Sequence, residues 1–148
     1  MGHHVFPQRP RRCHQNSVTS SEEAQALLAG ANQRLDYARS NHESEMYGPA
    51  TSLAYYAVFY GAQAVIAHHR QSARPHRGVQ NLFWQLAVEG SDFPPETARI
   101  ISTLETHRLK VDYTALIEVT KEDAAEAIHQ AETFVKEVTA WFQRHRPT

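Results

Sequence analysis

The chain has 148 residues, 41 % of them apolar, with 15 basic side chains against 16 acidic ones and a net charge of −1. That length favours one domain with a sizeable core, and the balanced charge argues against a protein that coats polyanions over its whole surface. A single cysteine, Cys13, excludes an intramolecular disulfide and a cysteine-only zinc cluster.

Residues 1–18 stand apart. Arg9, Arg11 and Arg12 with no acid give them a local charge of +3, which leaves −4 for the rest of the chain (−1 − 3 = −4). They read as a basic, disordered arm ahead of one helical domain at 19–148. The arm lacks the apolar core of a signal peptide. Phe6 stands where a myristoylation signal needs Ser or Thr. The longest apolar stretch, Leu53 to Ala67, is too short and too interrupted to span a bilayer. A soluble, cytoplasmic protein is expected.

From Ser20 onward the period is helical. Ser20 followed by Glu23 has the capping-box pattern, and Leu28, Ala31, Leu35 and Ala38 form one helix face. Gly48-Pro49 marks a break or a new start. A second helix is predicted from about Ala50 to Arg70. Leu53, Tyr56, Ala57, Tyr60, Ala64 and Ala67 lie on one face, and Tyr55, Phe59, Ala62 and Ile66 fill the adjacent one. So broad an apolar girth predicts a central helix packed on most sides. A third helix starts near His76, carries Val79, Leu82, Phe83 and Leu86, and ends at Gly90-Ser91. Pro94-Pro95-Glu96 opens a fourth, whose face holds Ala98, Ile101, Leu104 and then Arg108. Thr120 with Asp123 caps a fifth, with a stripe of Ala124, Ile128, Ala131, Val135, Val138 and Phe142. Strict alternation and hairpin signals are missing. The expected fold is all-α, an antiparallel up-and-down bundle of about five helices.

Phosphate-loop, HExxH, GxSxG and EF-hand patterns do not occur, and no His-x₃-His pair exists among the ten histidines. No metal and no cofactor are expected. Arg108 is the most informative residue, because a guanidinium on an apolar face must be paired or must face a cleft. Asp112 is one helical turn away and Tyr113 follows. Two readings stand: an ion pair that ties down the helix end, or a polar cluster that holds a phosphate or an RNA backbone. His76, with Arg77, caps a helix or binds an anion there. The Tyr55-Tyr56-Phe59-Tyr60 cluster reads as core and interface rather than as a base-stacking platform. Trp84 and Trp141 read as core, with a partner surface as the other reading.

Three segments resemble the HEPN domain family. Ser52-Leu53-Ala54-Tyr55-Tyr56-Ala57-Val58-Phe59-Tyr60-Gly61-Ala62-Gln63-Ala64 resembles its central-helix signature. Pro75-His76-Arg77-Gly78-Val79-Gln80-Asn81-Leu82-Phe83 resembles its T-H-x-G-V…F segment, and Arg108-Leu109-Lys110-Val111-Asp112-Tyr113 its R-x-x-A-D-Y segment. Thr120-Lys121-Glu122-Asp123-Ala124 opens a last helix in the matching place, so the resemblance covers about residues 20–144.

The resemblance implies a helical bundle, homodimerisation and a link to nucleotides or RNA. Many family members are encoded beside a minimal nucleotidyltransferase and form toxin–antitoxin pairs with it. Catalytic members are metal-independent ribonucleases with an R-x₄₋₆-H motif contributed by both subunits. In such a site His acts as acid or base and Arg stabilises charge on phosphate. Here the positions for that His hold Tyr113, Thr114 and Ala115, and a phenol is a poor base at neutral pH. Two other matches to that spacing, Arg9 to His14 and Arg70 to His76, are no more than chance delivers from twelve arginines and ten histidines.

The expectation is therefore a dimeric, non-catalytic nucleotide- or RNA-associated module partnering a nucleotidyltransferase. Its binding candidates are His76, Arg77, Arg108 and Lys110. One alternative is a metal-independent endoribonuclease toxin using Arg108, Asp112 and Tyr113, and another is a purely structural helical domain. Neither a membrane partner nor DNA sequence readout is expected.

Overall fold

A computed structural model of the chain describes residues 19–72, 76–113 and 118–146. The arm at 1–18 lies outside the described residues, and with it the expectation that it is disordered. The described residues are helical with short connections and no strand.

Helix α1 runs Ser20–Glu43 and α2 Tyr47–His68. The capping box of α1 sits one residue earlier than expected: Thr19 Oγ1 accepts from Glu22 N at 3.0 Å, and Glu22 Oε1 accepts from Thr19 N at 3.0 Å. Thr19/Glu22 and Ser20/Glu23 have the same pattern, and the extended backbone of Thr19 selects the first. Gly48-Pro49 falls in the first turn of α2, where a missing amide hydrogen costs little. Both helices end with a non-glycine residue in the left-handed region, Glu45 at φ 63° and Arg70 at φ 60°. Each closes with paired bonds: Met46 N to Asn41 O and Glu45 N to His42 O after α1, Gln71 N to Ile66 O and Arg70 N to Ala67 O after α2. This is the Schellman arrangement, in which glycine is the usual occupant.

Helix α3, His76–Phe83, continues into a π-helical turn over Trp84–Glu89. Periodicity did not foresee that turn. Its wider winding moves the buried face from Leu86 to Ala87, so Val79, Phe83 and Ala87 are sealed while Leu82 and Leu86 are half-buried. The fourth predicted helix is a single turn, α4 (Pro95–Ala98), leading into α5 (Ile100–Tyr113) through Arg99, which keeps helical dihedrals. Helix α6 spans Lys121–Arg144 behind the expected Thr120/Asp123 capping box.

Helix α2 is the axis. Thirteen of its residues are buried, from Ala50 to Ala67, and α1, α3, α5 and α6 pack around it. A small residue sets the closest approach of α1 to α2: a Cβ on Gly30 would come within 2.8 Å of the Tyr60 ring, whereas one on Gly61 would meet Phe134 and Val138 of α6 at an ordinary 3.5 Å. The predicted faces of α1, α5 and α6 point inward as expected. Two rings absent from those stripes, Phe93 and Phe134, complete an aromatic cluster with Phe83, with centroids 5.0–5.5 Å apart. Among the described residues no helix is long and apolar enough to cross a membrane.

The turn after α3 is latched to the end of α6. Asp92 accepts from Arg144 Nε at 2.9 Å and pairs with His145 Nε2 at 2.8 Å, while Trp141 Nε1 donates to Ser91 Oγ at 3.2 Å. The hydrogen bonds to His145 and then Arg144 hold the Asp92 carboxyl down, from 3.8 to about 2, against a small opposing effect of burial. A carboxyl depressed in the folded state stabilises fully above its unfolded pKa and loses that contribution as pH falls through the folded one. Chemical denaturation at a series of acidic pH values is therefore expected to show stability falling between about pH 4 and 2, with a smaller drop in Asp92→Asn.

Candidate functional site

Arg108 projects from the inner face of α5 into the seam with α2, and its side chain retains 10 % exposure. One turn later Asp112 Oδ2 accepts from Arg108 NH1 at 2.9 Å. The other oxygen of that carboxylate accepts from Ser52 Oγ of α2 at 3.0 Å. The guanidinium carbon lies 4.9 Å from the ring centre of Tyr55 and 5.6 Å from that of Tyr56. Ser52, Tyr55 and Tyr56 are at i, i+3 and i+4, so α2 offers one face to the cation. Among the described residues Arg108 Nε has no hydrogen-bond acceptor although it is buried.

Magnitudes show what the seam achieves. Removing an ion from water costs several kcal/mol. One charge-assisted hydrogen bond returns about 1.5–3 kcal/mol, and cation–π contact about 0.5–2 kcal/mol. The cluster is therefore near balance, with one buried donor, Nε–H, still unspent among the described residues. Burial by itself weakens the protonated form of Arg108, but Tyr56, the hydrogen bond to Asp112 and Tyr55 outweigh it, and the guanidinium is held above its ordinary pKa. Burial, reinforced by the Glu105 charge, pushes the Tyr55 hydroxyl far up, so it stays protonated. Glu105 accepts from Gln80 Nε2 of α3, joining a third helix to the seam.

The remaining candidates are dispersed. Tyr113, at the end of α5, is 77 % exposed and takes no part in the cluster. Lys110 is exposed and lines a separate cleft of about 300 Å³ with His107, Thr51 and Val119, next to Glu118, Asp123 and Glu126. The side chains of His76 and Arg77 lie outside the described residues; their backbones form the first turn of α3. Arg70 and His76 flank positions 73–75, and the pair Arg9/His14 falls in the arm, both outside the described residues. Trp141 is core, at 1 % exposure, whereas Trp84 is half-buried under Arg99, 5.4 Å from the ring. Among the described residues no three His, Cys, Asp or Glu side chains gather in a group able to hold a metal ion.

The sequence reading missed Ser52 and the Glu105–Gln80 pair, and it read Tyr55 and Tyr56 as core and interface rather than as partners of Arg108. The signal was present in the α2 segment as the i, i+3, i+4 spacing of Ser52, Tyr55 and Tyr56. Only the docking of α5 gives that face its charge.

The helical bundle and this buried cation define a class. A family model described as "HEPN domain" matches residues 24–141, and the chain belongs to the HEPN domain family. It is similar to "Putative toxin MJ0605" of Methanocaldococcus jannaschii, 33 % identical over 79 % of this chain and 87 % of the relative. A second protein of that organism, "Putative toxin MJ0142", is 27 % identical over 76 % of this chain and 77 % of its own length. A UPF0332 protein of Archaeoglobus fulgidus is 25 % identical over 84 % of this chain and 99 % of its own. The crystal structure of TT1696 from Thermus thermophilus shares the fold, with a TM-score of 0.68 at 19 % identity over 80 % of this chain and 97 % of that one.

Removing only the carboxylate should strand the buried cation. Asp112→Asn is expected to lose about 1–3 kcal/mol in urea denaturation. The apolar double variant Arg108→Met, Asp112→Leu should recover most of that loss, because neither charge is left unpaired.

Proposed function

We propose that the chain is a HEPN module that works as a homodimer, partners a minimal nucleotidyltransferase in a toxin–antitoxin pair, and uses the Arg108 seam to hold phosphate or RNA backbone rather than to cleave it. The carrying observation is the state of Arg108: it is fixed, charged, largely desolvated by its aromatic partners and Asp112, and left with a buried Nε–H that has no acceptor among the described residues. The exposed tenth of that side chain suits an incoming phosphate oxygen, and the Nε–H becomes available to it only as the seam opens.

Cleavage additionally needs a proton acceptor poised near neutral pH. Asp112 is committed to Arg108 and Ser52. Tyr55 is held protonated, and Tyr113 occupies the family's histidine position with a phenol. His107, next to Arg108 in sequence, turns to the other cleft. These features support binding without hydrolysis. Homodimerisation is supported by Leu109 and Tyr113, one turn apart on the outside of α5, which leave 40 % and 77 % of their surfaces exposed. Two relatives carry the name "Putative toxin", which leaves room for a second reading, a toxin that acts as an endoribonuclease.

The two readings separate on purified protein. Light scattering is expected to give twice the chain mass, falling to one chain in Leu109→Glu, Tyr113→Glu. A single-stranded RNA probe should bind, should weaken at least tenfold in Arg108→Met, Asp112→Leu, and should remain intact on prolonged incubation. Cleavage that Arg108→Ala abolishes would establish the ribonuclease instead; a monomer that binds no RNA would dismiss both.

A further inference from the structure

At the end of the bundle where α1 begins and α2 and α6 finish, a cleft of about 480 Å³ opens. That volume lies in the ~300–1,000 Å³ range of small-molecule sites. It is about 20 Å from the Arg108 seam, counted as thirteen residues of α2 from Tyr55 to His68 at about 1.5 Å each. Its charged lining is Arg70 and Arg146, and among the described residues no acidic one lines it; His68, held below its ordinary pKa by burial and by its neighbours His69 and His145, faces it as a neutral ring, and His145 is engaged with Asp92. Among the described residues neither Arg70 nor Arg146 forms an ion pair, in contrast to Arg39, Arg108 and Arg144, which all do.

Two further features belong to the same cleft. Ser20 and Ser21 begin α1, and their amides have no intrahelical acceptor, because the Thr19 cap bonds to Glu22 and Glu23 instead. Leu28, about two turns further along α1, and Phe142 of α6 add apolar lining. Arg70 is delivered by its left-handed backbone at φ 60°, which a non-glycine residue rarely adopts. His68 stacks edge-on to Trp141 and Phe142 at 5.2 and 5.5 Å, so its ring is a fixed part of the wall.

We propose that this cleft is a second binding site, for a small phosphate monoester, with the phosphate between Arg70, Arg146 and the first amides of α1 and the organic part against Leu28 and Phe142. Two guanidinium forks and two amides match a doubly charged group with three terminal oxygens better than they match a carboxylate. Arg70 and Arg146 are exposed residues, so their replacement leaves the core intact. The site does not depend on how Arg108 is used.

The test is calorimetry on the full chain with adenosine monophosphate as probe and adenosine as its uncharged counterpart. The monophosphate is expected to bind saturably, one per chain, and at least tenfold more tightly than adenosine. Arg70→Gln, Arg146→Gln should melt at the wild-type temperature and lose at least tenfold in affinity. The seam variant Arg108→Met, Asp112→Leu should bind as wild type. No saturable binding, equal binding of adenosine, or unchanged affinity in the Arg70/Arg146 variant would overturn the proposal. Loss confined to the seam variant would also overturn it, by assigning the probe to the Arg108 cluster.

Discussion

A positive charge in an apolar seam constrains the rest of this molecule. The guanidinium of Arg108 is tolerated because two neighbouring helices are built around it: α5 brings Asp112 one turn later, and α2 brings Ser52 to hold that carboxylate and two aromatic faces to cover the cation. None of these partners is strong alone. Together they bring a costly burial close to zero, so the cluster is better understood as a device for holding a charge still than as a source of stability. Every partner must keep its rotamer for the balance to hold, and the seam between α2 and α5 becomes the most specified contact in the bundle.

The surrounding architecture serves that specification. Helix α2 is enclosed by four other helices, and Gly30 of α1 makes room for the Tyr60 ring, which an added Cβ would meet at 2.8 Å. A rigid axis fixes the direction of Tyr55 and Tyr56. The Asp92 latch ties the turn after α3 to the last turn of α6, and the Glu105–Gln80 contact links α3 to α5. The seam is thus braced from both sides, while Leu109 and Tyr113 on the outside of the same helix remain open.

Much of the fold was legible because alanine and leucine at helical spacing leave few alternatives. The stripes of α1, α5 and α6 and the wide girth of α2 translate directly into burial, and the position of Arg108 on an apolar face already announced that it must be compensated. Other details were not legible, for physical reasons. Two adjacent capping boxes are equivalent in sequence, and only the backbone at Thr19 separates them. The π-helical turn at Trp84–Glu89 has no compositional mark, since it inserts a wider turn into an ordinary amphipathic segment. The role of Ser52 arises between helices sixty residues apart, and spacing within one helix does not carry that information. The cleft near Arg70 and Arg146 likewise gathers residues from the ends of three helices.

The central claim is that Arg108 is a desolvated, immobile cation whose buried Nε–H has no acceptor among the described residues. Its side-chain Nε–H signal in ¹⁵N-resolved NMR tests this most directly. The account predicts a resolved Arg108 Nε–H resonance whose exchange with water is at least tenfold slower than that of exposed arginines such as Arg70 and Arg146, and which shifts when single-stranded RNA is added. An Arg108 signal that exchanges as fast as theirs and ignores RNA would contradict it.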